Sequence, residues 1–152
     1  MEGRYVIAGH VGGLSLKNIN IVVVEPQNLL ASRLIEVQQT SDHQLTRFKK
    51  TSQGGYLMFG KIKIPPSSVY DTFMSKINDG LNNVVWKVNL GISGTETECM
   101  DFIESSSANT IYVVSTIDEV TYKSIQLIEI SNDGQTILWR RKYRIEQDLQ
   151  PF

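Results

Sequence analysis

Gly54-Gly55-Tyr56-Leu57-Met58-Phe59-Gly60 is the stretch that decides the fold, because it has counterparts elsewhere in the chain. Gly3-Arg4-Tyr5-Val6-Ile7-Ala8-Gly9 repeats its pattern 51 residues earlier, and Thr110-Ile111-Tyr112-Val113-Val114-Ser115 is a weaker third copy. Trp86 likewise recurs as Trp139, 53 residues later. A period near 50 residues indicates copies of one unit, arranged as blades, a solenoid or an array.

The composition is that of an ordinary globular protein. Of the 152 residues, 41% are hydrophobic and 20% are charged, and the length fits one repeat domain, 1–152. The net charge of -1 gives no overall field that would attract nucleic acid or an anionic membrane. The first residues lack the apolar core of a signal peptide, and no segment approaches the roughly 20 apolar residues of a membrane span. We therefore expect a soluble chain that neither binds nucleic acid nor inserts into membranes; its compartment is left unassigned.

Short β-branched or aromatic segments, bounded by turn residues, predict strands along the whole chain. No window combines sustained helical periodicity with capping signals, so we expect little or no helix. Leu29–Val37 comes closest to a helical pattern and is assigned to a turn and a strand. The predicted strands are Arg4–Gly9, Asn18–Val24, Leu34–Gln39, Leu45–Lys50, Gly55–Lys61, Asp71–Ile77, Val84–Leu90, Met100–Glu104, Thr110–Thr116, Ser124–Ile130 and Ile137–Tyr143.

Comparison of the chain with itself defines the repeating unit. At an offset of 53 residues, Lys76–Asp79 overlies Glu129–Asn132 and Trp86 overlies Trp139. Each complete unit reads strand, turn, strand, loop, strand, turn, strand. The last turn is Asn-Asp-Gly in both complete units, at 78–80 and 132–134, and these residue types tolerate positive φ in a tight hairpin.

The third strand of each unit is apolar on both of its faces, in Ile19–Val24, Phe73–Ile77 and Ile125–Ile130. A strand covered on both sides need not alternate, so these patterns predict sheets stacked face to face. We predict an all-β fold of three four-stranded antiparallel propeller-type blades, at approximately 1–44, 45–97 and 98–152. The aromatic residues expected between the sheets are Tyr5, Tyr56, Trp86, Tyr112 and Trp139.

At these residues the chain resembles a bacterial β-propeller repeat family. Blades of that family carry Thr-Ser-Asp-Gly-Gly-Tyr, then Lys-Leu-Asp-x-Gly, then a Trp-x-Lys strand. The second unit is similar to this pattern at Phe48–Gly60, Lys76–Gly80 and Trp86-Lys87, and the third at Glu129–Asp133 and Trp139–Lys142. The resemblance implies a binding or scaffold protein, often secreted or surface-attached, with six to eight blades.

The first unit departs from the family pattern, with Glu25-Pro26 and Leu34 where the turn and the tryptophan would lie. By the strand order, the chain enters at the second strand of a blade and leaves after the fourth strand of the third. Three blades do not close a ring, so we expect self-association through the end blades, a protein partner, or further blades of a longer propeller. A partner strand or the segment Ile145–Phe152 would supply the missing first strand.

The acidic residues form the densest group of potential chemistry, and sequence places them in the connection between the second and third blades. We interpret them as a solvated loop, with calcium binding and a glycosidase-type acid/base pair as alternatives. The residues concerned are Glu96, Glu98, Asp101 and Glu104.

The other reactive side chains are isolated. His10 and His43 lack metal-ligand spacing and are expected at the surface, and Cys99 is expected to be a small buried hydrophobe. The basic run Arg140–Arg144 is interpreted as a charged edge strand, with polyanion binding as the alternative. The loop Lys61–Tyr70, which contains Pro65-Pro66, is a first candidate for a contact surface, against a plain hairpin loop.

The sequence therefore assigns no catalytic residue, no metal site, no cofactor and no specific ligand-binding residue. It predicts a non-enzymatic β-propeller-type interaction or scaffold module, completed by self-association or by missing blades. The alternative is part of a propeller enzyme that acts on glycans.

Overall fold

The computed structural model describes residues 5–12, 17–25, 28–37, 42–63, 66, 68–92, 95–105, 107–119 and 121–145. Within these ranges the chain forms eleven strands and no helix, so the prediction of an all-β fold is confirmed. Each predicted strand overlaps an observed one. The strands are β1 (Tyr5–Gly12), β2 (Lys17–Glu25), β3 (Asn28–Val37), β4 (Asp42–Lys50), β5 (Tyr56–Lys63), β6 (Asp71–Ile77), β7 (Val84–Asn89), β8 (Glu96–Ser105), β9 (Thr110–Asp118), β10 (Lys123–Ser131) and β11 (Ile137–Arg144).

The strands form three antiparallel sheets in which chain neighbours are also sheet neighbours. The first sheet is β1-β2-β3, the second is β4-β5-β6-β7 and the third is β8-β9-β10-β11. Four strands are present in the second and third sheets, and the prediction of a fourth strand is not met in the first. Its three strands among the described residues agree with the predicted entry of the chain at the second strand of a unit. Tyr5 of β1 pairs with β2 as Tyr56 of β5 pairs with β6, so β1 corresponds to the second strand of a complete unit.

The register shifts between paired strands also recur from sheet to sheet. The pairing of the last two strands is shifted at Val23/Glu25 in the first sheet, at Lys76/Ile77 in the second and at Glu129/Ile130 in the third. The first two strands of the complete sheets are shifted at Leu45/Arg47 and at Cys99/Asp101. Because bulges re-aim side chains and bend strands, their recurrence at the same place gives the sheets the same shape.

The second sheet is covered on both faces, and this is why its two central strands, β5 and β6, are buried on both of their sides. Along β5, Tyr56 and Met58 belong to the core shared with the first sheet, whereas Leu57 and Phe59 belong to the core shared with the third sheet. Backbone contacts between sheets come from the first strands, with β4 against β1 and β2, and β8 against β4, β5 and β6. The predicted face-to-face stacking is therefore present.

The five aromatic residues expected between sheets do not all lie there. Tyr56 and Trp86 are buried, with 6% and 7% of their surfaces exposed. Tyr5 is 66% exposed, and Tyr112 and Trp139 are only half-buried. The prediction is wrong for these three residues because they face away from the second sheet, on sides that no other described sheet covers.

The two Asn-Asp-Gly hairpins use different residues for positive φ. Gly134 has φ 69°, as its type predicts, but in the second sheet the positive φ of 57° falls on Leu81 and not on Gly80. Leu81 and Gly134 are 53 residues apart, so they hold the same place in the repeat. Similarly, Asn109 has φ 53° where the second sheet has Gly55 at φ 82°. Asparagine is one of the few residue types that adopt this conformation readily.

The choice between leucine and glycine at this place follows from the neighbouring sheet. Gly134 lies against the Trp86 indole, so a Cβ atom at this position would come 2.4 Å from Cδ2 of Trp86. Leu81 instead faces the first sheet, which contains no tryptophan, and it is 1% exposed in the core between those sheets. Leu81 therefore fills space between the first and second sheets, in the way that the Trp86 indole fills space between the second and third sheets.

Candidate functional site

The outer side of the third sheet is a broad apolar surface. It contains an open depression of about 370 Å³ whose floor is formed by β9 and β10 and whose sides come from β8 and β11. The rings of Tyr112 and Trp139 lie 6.3 Å apart, and the Arg141 guanidinium lies 5.4 Å from the Trp139 ring. We call this surface the Trp139 face and define it by Ile103, Tyr112, Val114, Leu127 and Trp139.

The outer side of the first sheet is a second apolar surface. Tyr5 pairs with Val24 and Ile7 pairs with Val22, so these four side chains lie on one side of the β1-β2 ladder. Tyr5 and Ile7 are 66% and 60% exposed, while the alternating Val6 and Ala8 pack into the core beneath. We call this surface the Tyr5 face and define it by Tyr5, Ile7, Val22 and Val24.

All four acidic residues lie on strand β8, so the predicted connection is wrong for Glu96 and Glu98, whereas Asp101 and Glu104 lie within the predicted strand Met100–Glu104. β8 starts at Glu96, because Thr97 and Cys99 alternate into the core while Glu98 faces solvent. The Glu96 side chain lies outside the described residues. Asp101 lines the depression on the Trp139 face, whereas Glu98 and Glu104 are not part of its lining, so these carboxylates form no acid/base pair there.

Two of these carboxylates have partners in the second sheet. Glu98 Oε1 lies 3.2 Å from Nζ of Lys61, and Glu104 Oε2 accepts a hydrogen bond from the backbone N of Ser52 at 2.9 Å. Both contacts join β8 to the second sheet along the line where the sheets are closest. They give these carboxylates a structural role at the sheet boundary.

Asp101 forms the strongest of these contacts. Its Oδ1 accepts a hydrogen bond from Nζ of Lys49 at 2.8 Å and lies 3.6 Å from Nε of Arg47. The hydrogen bond from Lys49 lowers the pKa of the Asp101 carboxyl below its ordinary value. A general acid needs the opposite shift, so that it still carries a proton near neutral pH. Asp101 is therefore suited to binding the second sheet and unsuited to acid catalysis.

Only one of the two predicted histidine positions is tested by the described side chains, and it differs from the prediction. β1 continues through His10 to Gly12, so His10 does not follow the strand, and its side chain lies outside the described residues. The prediction of a surface position is wrong for His43, which is 1% exposed. β4 starts at Asp42 and directs His43 between the sheets, edge-on to the Phe73 ring, with Nε2 accepting from Nζ of Lys87 at 2.9 Å.

Cys99 is buried as predicted. It is 5% exposed, and its Sγ donates a hydrogen bond to the Gly60 carbonyl at 2.6 Å. Burial raises the pKa of the Cys99 thiol to about 12. Because the thiolate is the nucleophilic form, such a cysteine is chemically inert in the folded protein.

We expect folded protein to resist alkylation by iodoacetamide at neutral pH and unfolded protein to react, as measured by mass spectrometry. The folded thiol has a pKa above its ordinary 9.0, so its contribution to stability is present below pH 9.0 and is lost as pH rises toward 12. The free energy of unfolding should therefore fall more steeply over this range in wild type than in Cys99→Ala. Equal labelling rates for folded and unfolded protein would contradict the burial of this side chain.

The basic run lies on β11, the edge strand of the third sheet, as predicted. Its residues alternate between the two sides of the sheet, and each of the four basic side chains contacts a carbonyl, a carboxylate or an aromatic ring. These contacts are Arg140 Nη2 to the Leu90 carbonyl at 3.0 Å, Arg141 over the Trp139 ring, Lys142 in an ion pair with Glu119, and Arg144 over the Tyr122 ring at 4.4 Å.

Other candidate features add no chemistry. Within the described ranges, no three or more His, Cys, Asp or Glu side chains form a group able to hold a metal ion. No helix with the length and hydropathy of a membrane span occurs in the part of the chain that the structure describes. The loop Lys61–Tyr70, predicted as a contact surface, lies partly outside the described residues, which do not include 64, 65 and 67, and its role stays a prediction.

The chain was compared with known proteins as well. No protein-family model matches it, and no curated protein matches it. The resemblance to the bacterial β-propeller repeat family therefore stays a prediction made from the residues that carry it.

Proposed function

We propose that this chain is a non-enzymatic, propeller-type interaction or scaffold module that acts through the Trp139 face and the Tyr5 face. One observation carries the proposal: large apolar side chains are concentrated on the two outer sides of a stack whose internal sides are already covered. Ile103, Tyr5 and Ile7 are each at least 60% exposed. Contiguous apolar surfaces of this kind mark sites of protein contact.

The geometry of stacking supports the propeller part of the proposal. Contacts between sheets come from the first strands, β4 and β8, and the fourth strands β7 and β11 make no comparable backbone contact within the described chain. Sheets that are close at one edge and diverge at the other are arranged like blades around an axis. Self-association or additional blades would continue this arrangement.

The alternative, part of a glycan-acting propeller enzyme, gains no support from the acidic residues. An acid/base pair would have to face a common pocket. Glu98, Asp101 and Glu104 each contact the second sheet, and Lys49 keeps Asp101 ionised. These interactions hold two sheets together.

Sedimentation velocity at micromolar concentration tests the proposal. We expect species larger than the 17.2 kDa chain, and we expect Trp139→Asp to shift them toward monomer, because it places a charge in the apolar surface. Val85→Asp is the matched control, since Val85 is 53% exposed on β7 and belongs to neither outer face. A wild-type chain that stays monomeric at micromolar concentration would overturn the proposed completion of the fold by self-association.

A further inference from the structure

The Trp139 face corresponds, position by position, to a face that is already packed inside the chain. Trp139 pairs with Glu129 as Trp86 pairs with Lys76, and Leu127 pairs with Val114 as Met74 pairs with Phe59. Trp86, Met74 and Phe59 form the side of the second sheet that receives the third sheet. The Trp139 face is therefore the side of the third sheet on which a following sheet would pack.

The Tyr5 face corresponds to the opposite side of a sheet. Tyr5 pairs with Val24 as Tyr56 pairs with Ile77. Tyr56 and Ile77 lie in the core shared with the first sheet, on the side that packs against the preceding sheet. The Tyr5 face is therefore the side of the first sheet that would pack against a sheet before it.

The two exposed faces thus match the two sides that meet in the stacking contact the chain makes twice internally, although the first sheet has, among the described residues, no counterpart of β4 and β8, the first strands that make the backbone contacts there. We propose that a second copy of this chain stacks head to tail, with its Tyr5 face on the Trp139 face of the first copy. This inference rests on the proposed function and specifies the partner and the polarity of the contact. Contacts of this heterologous type close into a ring or continue as an open array.

The repeat also predicts which side chains meet. Ile21, Met74 and Leu127 are spaced by 53 residues and hold the same place in the three sheets. Ile7 and Met58 hold a second common place, since their partners Val22 and Ser75 are also 53 residues apart. Ile21 and Met58 share the core between the first and second sheets. By the same relation, Leu127 of one copy lies near Ile7 of the next.

Head-to-tail stacking is favoured over pairing of two identical faces. Within the chain, each interface joins two different sides of the repeat and never two equal sides. A symmetric contact between two Trp139 faces would also bring together the Arg141 guanidinium groups that lie over the Trp139 rings, and like charges in one interface are unfavourable.

A second feature of the new contact, the hairpin before the last strand, also differs from its internal counterpart. Trp86 lies under Gly134, in the hairpin between β10 and β11. The corresponding hairpin of the first sheet has only two residues between Glu25 and Asn28. This connection is shorter by sequence than the five residues between Ser131 and Ile137 at the internal contact.

Cross-linking of two cysteine variants tests the polarity. Ile7→Cys and Leu127→Cys chains, carrying tags of different mass, are mixed at micromolar concentration and treated with a short bis-maleimide. Native Cys99 is buried and does not compete. We expect heterodimers at a yield about tenfold or more above that of Ile7→Cys mixed with Val85→Cys, because a specific contact raises the effective concentration of two thiols. Circular dichroism verifies that each variant is folded.

The other outcomes separate this inference from the function on which it rests. Predominant Leu127→Cys homodimers would show symmetric pairing of Trp139 faces and overturn the head-to-tail contact. Cross-links no more frequent than with Val85→Cys, in samples that sediment as assemblies, would overturn this interface and leave self-association standing. Absence of both assemblies and cross-links would overturn the inference together with the proposed completion of the fold by self-association.

Discussion

Trp86→Ala is expected to lower the free energy of unfolding by about 3–5 kcal/mol, the range found when a buried large aromatic is truncated. Trp86 is 7% exposed and packs between the second and third sheets with Leu57 and Phe59 from its own sheet and Ile130 from the next. Urea denaturation followed by circular dichroism measures the change. Fluorescence is less suitable, since the substitution removes one of two tryptophans.

Trp139→Ala is the matched control, because Trp139 holds the same place in the third sheet. Its indole is half-buried on the open Trp139 face, so we expect a loss of about 1 kcal/mol or less when the protein is dilute. Equal losses for the two variants would contradict the difference in burial. A Trp139→Ala effect that grows with protein concentration would indicate that the face is covered by association.

Trp86→Phe separates packing from polarity at the same site. The buried Nε1–H of Trp86 has no hydrogen-bond acceptor within the described chain, so the indole contributes through contact area and not through a hydrogen bond. Phenylalanine keeps much of that area and removes the unsatisfied donor. We therefore expect Trp86→Phe to cost clearly less than Trp86→Ala.

The strand order could be predicted from sequence because burial on both faces leaves a strong signal. Tyr56–Phe59 is apolar at every position, which only a strand covered on both sides can sustain, and the repeat at 53 residues fixes its counterparts. The same repeat could not predict which of the equivalent aromatic side chains are exposed. Tyr5, Tyr112 and Trp139 hold the places of buried residues. Tyr5 is exposed and the other two are half-buried, because no described sheet covers them.

The acidic residues and His43 show where residue type misled. Thr97 and Cys99 are buried and alternate with the exposed Glu98, which is the period of two expected of a strand. The alternation is hard to see in the sequence, because threonine is not a typical core residue. His43 is similar, being a polar residue type at an inward position of β4. Its burial depends on Phe73 and Lys87, which are distant in sequence.

The candidate site was the least predictable part. Sequence identified Trp139 and Tyr5 as residues of stacked sheets, and it predicted association through end blades without naming the residues that make the contact. The two faces emerge only when the pairing register shows which side of its sheet each residue occupies. A shift of one residue would move every side chain to the other side, so register carries information that composition lacks.

Gly134→Ala should be among the most destabilising single-methyl additions in this chain, at about 2–5 kcal/mol. Gly134 has φ 69°, a conformation that costs a residue with a Cβ about 1–2 kcal/mol. The new Cβ would also come 2.4 Å from Cδ2 of Trp86, and overpacking of this kind costs about 1–3 kcal/mol. Gly80→Ala is the control in the other hairpin. Gly80 lacks positive φ, and a Cβ atom added there would come no closer than 3.2 Å to another residue, at Oδ1 of Asn82. We expect Gly80→Ala to change stability little.

A double-mutant cycle distinguishes the two causes of this loss. In a Trp86→Ala background the ring that opposes the new methyl group is gone, so Gly134→Ala should cost only the conformational part, about 1–2 kcal/mol. The coupling between the two substitutions is then favourable and measures the fit of indole to glycine. Strictly additive losses would mean that the Gly134 hairpin does not rest on Trp86. This outcome would leave the head-to-tail proposal standing, because the shorter connection between β2 and β3 does not repeat the contact between Gly134 and Trp86.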